Sequence, residues 1–132
     1  MHKYLYILIL ITFIVACTHE TIDKKIWRQA SEYTKNSCPK PMDEYTILDS
    51  LVYAEKERVM SYHYSVSGLL DTTVVYTTEL LNIFHTNLLD NIKQNVRLME
   101  LKQHDVTFRY TYVSSTDARE YMSFVFAPED YN

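Results

Sequence analysis

The sequence predicts an α+β domain: a small antiparallel four-stranded sheet built from two hairpins, with helices packed on one face. Three observations carry that reading. Four runs rich in aromatic and β-branched residues read as strands, and three of them alternate with period two. One long segment between the two pairs of runs repeats its apolar residues at three- and four-residue spacing. Short polar stretches join the members of each pair, as hairpin turns do.

Ile22, Ile26, Ala30 and Tyr33 recur at helical spacing with charges between them, which predicts a first helix over 22–33. Pro39 and Pro41 end it, because each lacks a backbone donor and disfavours helix in the residue before it. The segment 45–54 then reads as a strand. In 58–66, Met60, Tyr62, Tyr64 and Val66 point one way and Val59, Ser61, His63 and Ser65 the other. The polar stretch 54–57 between them predicts an antiparallel hairpin.

Over 71–95 the period changes from two to nearly four. Leu81, Phe84, Leu88 and Ile92 form one stripe, widened by Leu80 and Leu89, and Thr77 or Thr78 can cap the start. Such a stripe needs a sheet to cover, and Leu88 is expected to be buried against it. A shorter helix is expected over 97–103. Val106, Phe108, Tyr110 and Tyr112 then share one strand face, and Met122, Phe124 and Phe126 share another, joined by the turn 114–118.

The N-terminus has a different composition. Met1-His2-Lys3 gives a short basic start, and Tyr4 to Val15 is apolar apart from Thr12. A helix of that length spans roughly 18 Å, well short of a hydrocarbon core of about 30 Å. It fits the apolar region of a cleavable signal peptide. Its end, Ile14-Val15-Ala16-Cys17, resembles the lipobox of bacterial lipoproteins. That resemblance implies cleavage before Cys17 and lipid attachment to its thiol. The organisation it implies is a lipoprotein signal peptide at 1–16, a tether at 17–21 and a single α+β domain at 22–132. Two or more acyl chains anchor a protein stably where one holds it marginally. Thr18 in place of an aspartate implies the outer membrane, with the periplasmic or surface side open.

With Cys17 lipidated, Cys38 has no intramolecular cysteine partner, so no disulfide framework is expected. Cys38 reads as a small buried residue or, alternatively, as a reactive thiol. The 13 Lys and Arg against 17 Asp and Glu give a formal net charge of −4, and no basic run stands out. That balance argues against nucleic acid as a partner.

The segments 38–50 and 104–120 are similar to two signature stretches of a widespread group of small exported bacterial proteins of no established activity. The pattern runs Leu-Pro-Met-x-Val-Asp-x-x-Thr-x-Leu-Asp-Ser, then a tyrosine-rich strand, a helix, and Asn-Gly-Val-Thr before an alternating aromatic strand. The matching residues here are Pro39, Asp43, Thr46, Leu48, Asp49, Ser50, Val106, Thr107, Tyr110 and Tyr112. Members of the group often carry a cysteine near the end of the central helix and another near the C-terminus. Lys93 and Tyr131 stand at about those places, so the resemblance implies that one disulfide is replaced here by packing. His104-Asp105 stands where Asn-Gly would be, so the turn before the third strand is expected to differ.

No constellation points to catalysis. Asp43, Thr46 and Asp49 could bind a cation or do acid–base work, but they fit turn and cap roles better. His63, His85 and His104 lack the spacing of a metal motif, and a single glycine excludes glycine-rich phosphate loops. The expectation is therefore a non-enzymatic protein with no metal and no cofactor. It would be held in the cell envelope through lipid on Cys17, as a protein-binding module of the inhibitor or immunity type. The alternatives are a structural accessory of an envelope assembly and a small-ligand carrier. The candidate partner-binding residues are His63, Arg109 and Thr111, which should lie on the sheet face turned away from the helices, because they alternate with core-facing tyrosines.

Overall fold

The computed structural model describes residues 19–132, so the apolar run, the 14–17 pattern and Cys17 lie outside the described residues. The first helix, α1 (Ile22–Ser37), starts at Thr21, whose hydroxyl accepts from the Lys24 amide at 3.1 Å. Asp23 in its first turn and Lys35 in its last complement the helix dipole. Ile26 and Ala30 are the residues it buries.

Four strands follow the expected segments closely: β2 (Thr46–Ala54), β3 (Val59–Val66), β4 (Thr107–Ser114) and β5 (Glu120–Phe126), preceded by a short β1 (Lys40–Pro41). The remaining helices are α2 (Thr78–Gln94), α3 (Met99–Gln103) and α4 (Pro128–Tyr131). Thr77 caps α2, accepting from the Leu80 amide at 3.3 Å. The single glycine, Gly68, begins the crossover after β3 with a φ of +56°, and a Cβ there would meet the Tyr45 ring at 3.0 Å.

The sheet corrects the expected one in two ways. It has five strands, ordered β1-β2-β3-β4-β5, and it is mixed. The pairs β1–β2, β2–β3 and β4–β5 are antiparallel, whereas β3 and β4 run parallel from Val59↔Thr107 to Val66↔Ser114. The reason lies in the connection. A helix that runs once along the sheet returns the chain to the end where the previous strand began, and parallel pairing needs such a crossover. The fifth strand is hidden in the sequence because prolines read as breakers, yet Pro41 suits an edge strand of two residues.

Both α1 and α2 cover the same face. From β2 to β5 that face carries Leu48, Leu51, Tyr53, Met60, Tyr62, Tyr64, Val66, Phe108, Tyr110, Tyr112, Met122, Phe124 and Phe126. Ile26 and Ala30 of α1 join the core, as does Ile92 of α2, which has no exposed surface. The α2 stripe is therefore buried most deeply at its C-terminal end. Leu88, expected to be buried, is only half-buried, together with Leu81 and Phe84. At that C-terminal end α4 also packs against α2, and Tyr131, 7% exposed, closes the core. The Tyr131 hydroxyl donates to the Val106 carbonyl at 2.7 Å and its ring sits edge-on to Phe108.

The two edges of the sheet differ. On the β2 side, β1 pairs with Ile47 and Leu48, and the Thr34 hydroxyl of α1 bonds both the amide and the carbonyl of Leu51 at 2.8 and 2.9 Å. One side chain thus satisfies the edge-facing backbone groups of Leu51, beyond Leu48, where the pairing with β1 stops.

Candidate functional site

The period-two pattern places His63, Arg109 and Thr111 together. His63 lies beside Thr111 in the parallel pair and opposite Ser50 in the antiparallel one, and Ser61 lies beside Arg109. His63 and Arg109 are exposed. Their neighbours on this face are small, including Ser61, Ser65, Ser123 and Val113, and the Thr111 and Ser123 hydroxyls lie 3.4 Å apart. Val52 and Val125 flank the patch at 52% exposure each. No described helix packs on these residues, so a broad strip of sheet with short side chains faces outward.

On the helix face, the parallel register brings tyrosines side by side. Tyr62 stacks on Tyr110 with ring centroids 4.7 Å apart, and Tyr64 stacks on Tyr112 at 4.6 Å, both with nearly parallel planes. Burial pushes all four hydroxyls upward, Tyr64 to about 12, so they stay protonated at neutral pH and act as donors. At one end of this tyrosine floor, α1 and the segment 97–101 enclose a cleft of about 310 Å³. Its floor is Leu51, Met60 and Tyr62; Ile26 and Ala30 form one wall and Leu101 the other; Gln29, Tyr33, Arg97 and Glu100 stand at its polar margin.

Two carboxylates knot the fold. Asp23 accepts from the Tyr53 hydroxyl at 2.7 Å and lies 2.9 Å from His104 Nε2, with Arg58 Nε at 3.7 Å. Asp71, in the crossover, is held down to about 2 by hydroxyls of the β4–β5 hairpin, those of Ser114, Tyr121 and Thr116. The Tyr121 and Thr116 bonds to it measure 2.7 and 2.8 Å. Neither knot is signalled in the sequence, because the partners stand 30 to 81 positions apart for Asp23 and 43 to 50 for Asp71.

The other singled-out residues fall apart in space. Asp43 accepts from the Tyr45 amide at 2.9 Å, an Asx turn, and Thr46 is a buried strand residue. Asp49 accepts from the Ser65 hydroxyl at the bulge in β2, so Asp43 and Asp49 do not converge. His85 sits against Phe124 and Phe126, far in the fold from the exposed His63. Among the described residues no group of three or more His, Cys, Asp or Glu could hold a metal ion. Cys38 is a half-buried free thiol whose pKa is raised, first by burial and then by Asp49. Lys93 stands in the last turn of α2, next to the buried Ile92.

Residues 21–122 match the model of a domain of unknown function, DUF8479, and the chain belongs to that family. No curated protein matches the chain. The crystal structure of a "putative secreted protein" from Pseudomonas aeruginosa has a similar fold, with a TM-score of 0.65 at 13% identity, covering 83% of this chain and 96% of that one. At that identity the likeness speaks to the fold alone.

Proposed function

We propose that this is an exported, lipid-anchored envelope protein whose domain binds another protein and performs no reaction. The apolar run at 4–15 and the Ile14-Val15-Ala16-Cys17 pattern support export and lipid attachment at Cys17, with the outer membrane as destination. The secreted character in the name of the Pseudomonas protein agrees with an extracytoplasmic setting. Among the described residues no helix is long and apolar enough to cross a membrane, so on this reading the lipid is what holds the domain to the bilayer.

The single observation that carries the binding reading is the uncovered sheet face. Antiparallel sheets commonly leave one face to solvent, and there the alternation is polar and ordinary. Here the face is lined by short side chains around the exposed His63 and Arg109, and bounded by Val52 and Val125, each half in solvent. Such a surface admits close approach of a partner and offers apolar anchors at its margins with a charge at its centre. An inhibitor or immunity-type lipoprotein would use it against a lytic protein met in the envelope.

The test is site-specific. A photo-crosslinker placed at Thr111 should trap an envelope protein that the same crosslinker at Lys93, behind the sheet, does not. Equal trapping from both positions would overturn the assignment of this face.

A further inference from the structure

The helix α1 turns a defined flank to solvent. Lys24, Trp27, Arg28, Ser31 and Lys35 recur at three- and four-residue spacing, all of them exposed, while Ile26 and Ala30 on the other side are buried in the core. Trp27, 42% exposed, is the single tryptophan of the protein. Lys24 Nζ stands over its ring, 4.3 Å from the centroid. Ile22, 49% exposed, lies in the first turn of the same helix.

The chain that enters α1 is drawn onto this flank. Arg28 donates to Glu20 from Nε at 2.9 Å and from Nη2 at 3.1 Å, a two-pronged contact, and its Nη1 lies 3.5 Å from Glu32. Glu20 is thus held beside the residue that follows Trp27. Cys17 stands three residues before Glu20, and three residues span at most roughly 11 Å. A lipid on Cys17 therefore enters a bilayer beside the outward flank of α1, not at the open sheet face. Tryptophan suits that place, because its ring is apolar in body, its N–H can stay wet, and it is enriched where bilayers meet water. Charge adds little, since Lys24, Arg28 and Lys35 are set against Glu20 and Glu32. One such ring holds a bilayer weakly on its own. Beside a short tether the contact becomes intramolecular, at an effective concentration of about millimolar, and a weak seat is then enough to orient the domain.

We propose that the outward flank of α1 is the membrane-facing side of the domain, with the Trp27 ring seated in the headgroup layer of a phospholipid bilayer. The inference rests on lipid attachment at Cys17. It also sets the direction of the open sheet face. The sheet lies between α1 and the surface of His63, Arg109 and Thr111, so that surface is turned to the aqueous side and a partner meets it from there.

The single tryptophan makes the test direct. The mature protein, made with labelled palmitate, is inserted into preformed phosphatidylcholine vesicles, either plain or brominated on the acyl chains near the headgroup end. Brominated lipid should quench most of the Trp27 emission, and aqueous iodide should quench it little. Trp27→Phe combined with Val125→Trp moves the reporter to the half-exposed margin of the open face on β5, the edge strand far from α1, and should give the reverse pattern. Glu20→Gln removes the charge that Arg28 holds and should lessen the quenching by bromine while the palmitate content stays the same. A protein without palmitate would overturn lipid attachment and the docked flank with it. Palmitate at full level, with Trp27 open to iodide and untouched by bromine, would overturn the flank alone. Equal quenching at positions 27 and 125 would show that no side of the domain is preferred, and undiminished quenching in Glu20→Gln would remove the Glu20–Arg28 contact from the explanation.

Discussion

The Tyr53 hydroxyl donates to Asp23 Oδ1 at 2.7 Å, fastening the first turn of α1 to the far end of β2. Tyr53 is 3% exposed, so its ring belongs to the core while its hydroxyl reaches the edge of it. The same oxygen lies 2.9 Å from His104 Nε2, which adds the end of α3 to the junction. Three elements that the sequence spaces widely thus meet on one carboxylate.

This junction makes stability depend on pH in a stated direction. The hydrogen bond from Tyr53, before the contributions of His104 and Arg58, holds the Asp23 carboxyl below its ordinary value of 3.8. A carboxyl lowered on folding contributes stability that is fully present above its unfolded value and is lost as pH falls through its folded value. The melting temperature should therefore decline below about pH 4, and Asp23→Asn should flatten part of that decline. An acid limb that overlays the wild-type one would show that Asp23 has no part in it.

The core predictions separate two residues of one stripe. Ile92 is wholly enclosed, so Ile92→Ala should cost about 2–5 kcal/mol through lost transfer energy and a cavity that cannot collapse. Leu88 is half-buried, and Leu88→Ala should cost roughly 1–2 kcal/mol, in proportion to the smaller area removed from water. Denaturant midpoints of the two variants decide the order, and a larger loss at Leu88 would place the deepest contact of α2 wrongly.

Thr34 offers a test of edge satisfaction. Thr34→Val keeps the shape but removes the hydroxyl that serves both backbone groups of Leu51. The expected cost is about 1–3 kcal/mol for polar backbone left without a partner. Faster amide exchange at Leu51 should accompany it. Unchanged exchange and midpoint would mean that water replaces the hydroxyl at no cost.

These outcomes also mark what the sequence made legible. The faces of β3 and β4 followed from alternation, because a strand with one buried side fixes the other; His63, Arg109 and Thr111 were therefore placed on a common surface without knowing which strand neighbours which. The α2 stripe was legible for the same reason, but the depth along it was not, since that depends on α4 arriving beside it and on Tyr131 filling the end of the core. Parallel pairing of β3 with β4 was hidden because residues 59–66 and 107–114 carry no mark of the strand they meet. The cleft was hidden too: Arg97 and Tyr62 come to line one cavity only through the crossover that brings α3 against α1.

The anchor has its own prediction. Cys17→Ser should abolish acylation and the cleavage that depends on it, because a hydroxyl does not replace the thiolate nucleophile. Labelled palmitate recovered in the variant at the wild-type level would sink lipid attachment at Cys17.

The last prediction concerns the open face. Arg109 lies on β4 beside Ser61 and opposite Val125, exposed and pointing away from the helices. None of the described ion pairs includes it, so its charge holds no element of the fold in place. Arg109→Glu should accordingly leave the melting temperature nearly unchanged, since surface substitutions away from such contacts alter stability little. A partner seated on this face would meet a reversed charge at its centre, and like charges across an interface slow encounter and weaken the complex. Pull-down from envelope extract with the wild-type and Arg109→Glu proteins should thus differ in captured protein while their melting curves agree. If captured proteins and yields are identical, this face is not the partner surface; if the melting temperature also drops, Arg109 has a structural role that its exposure does not predict.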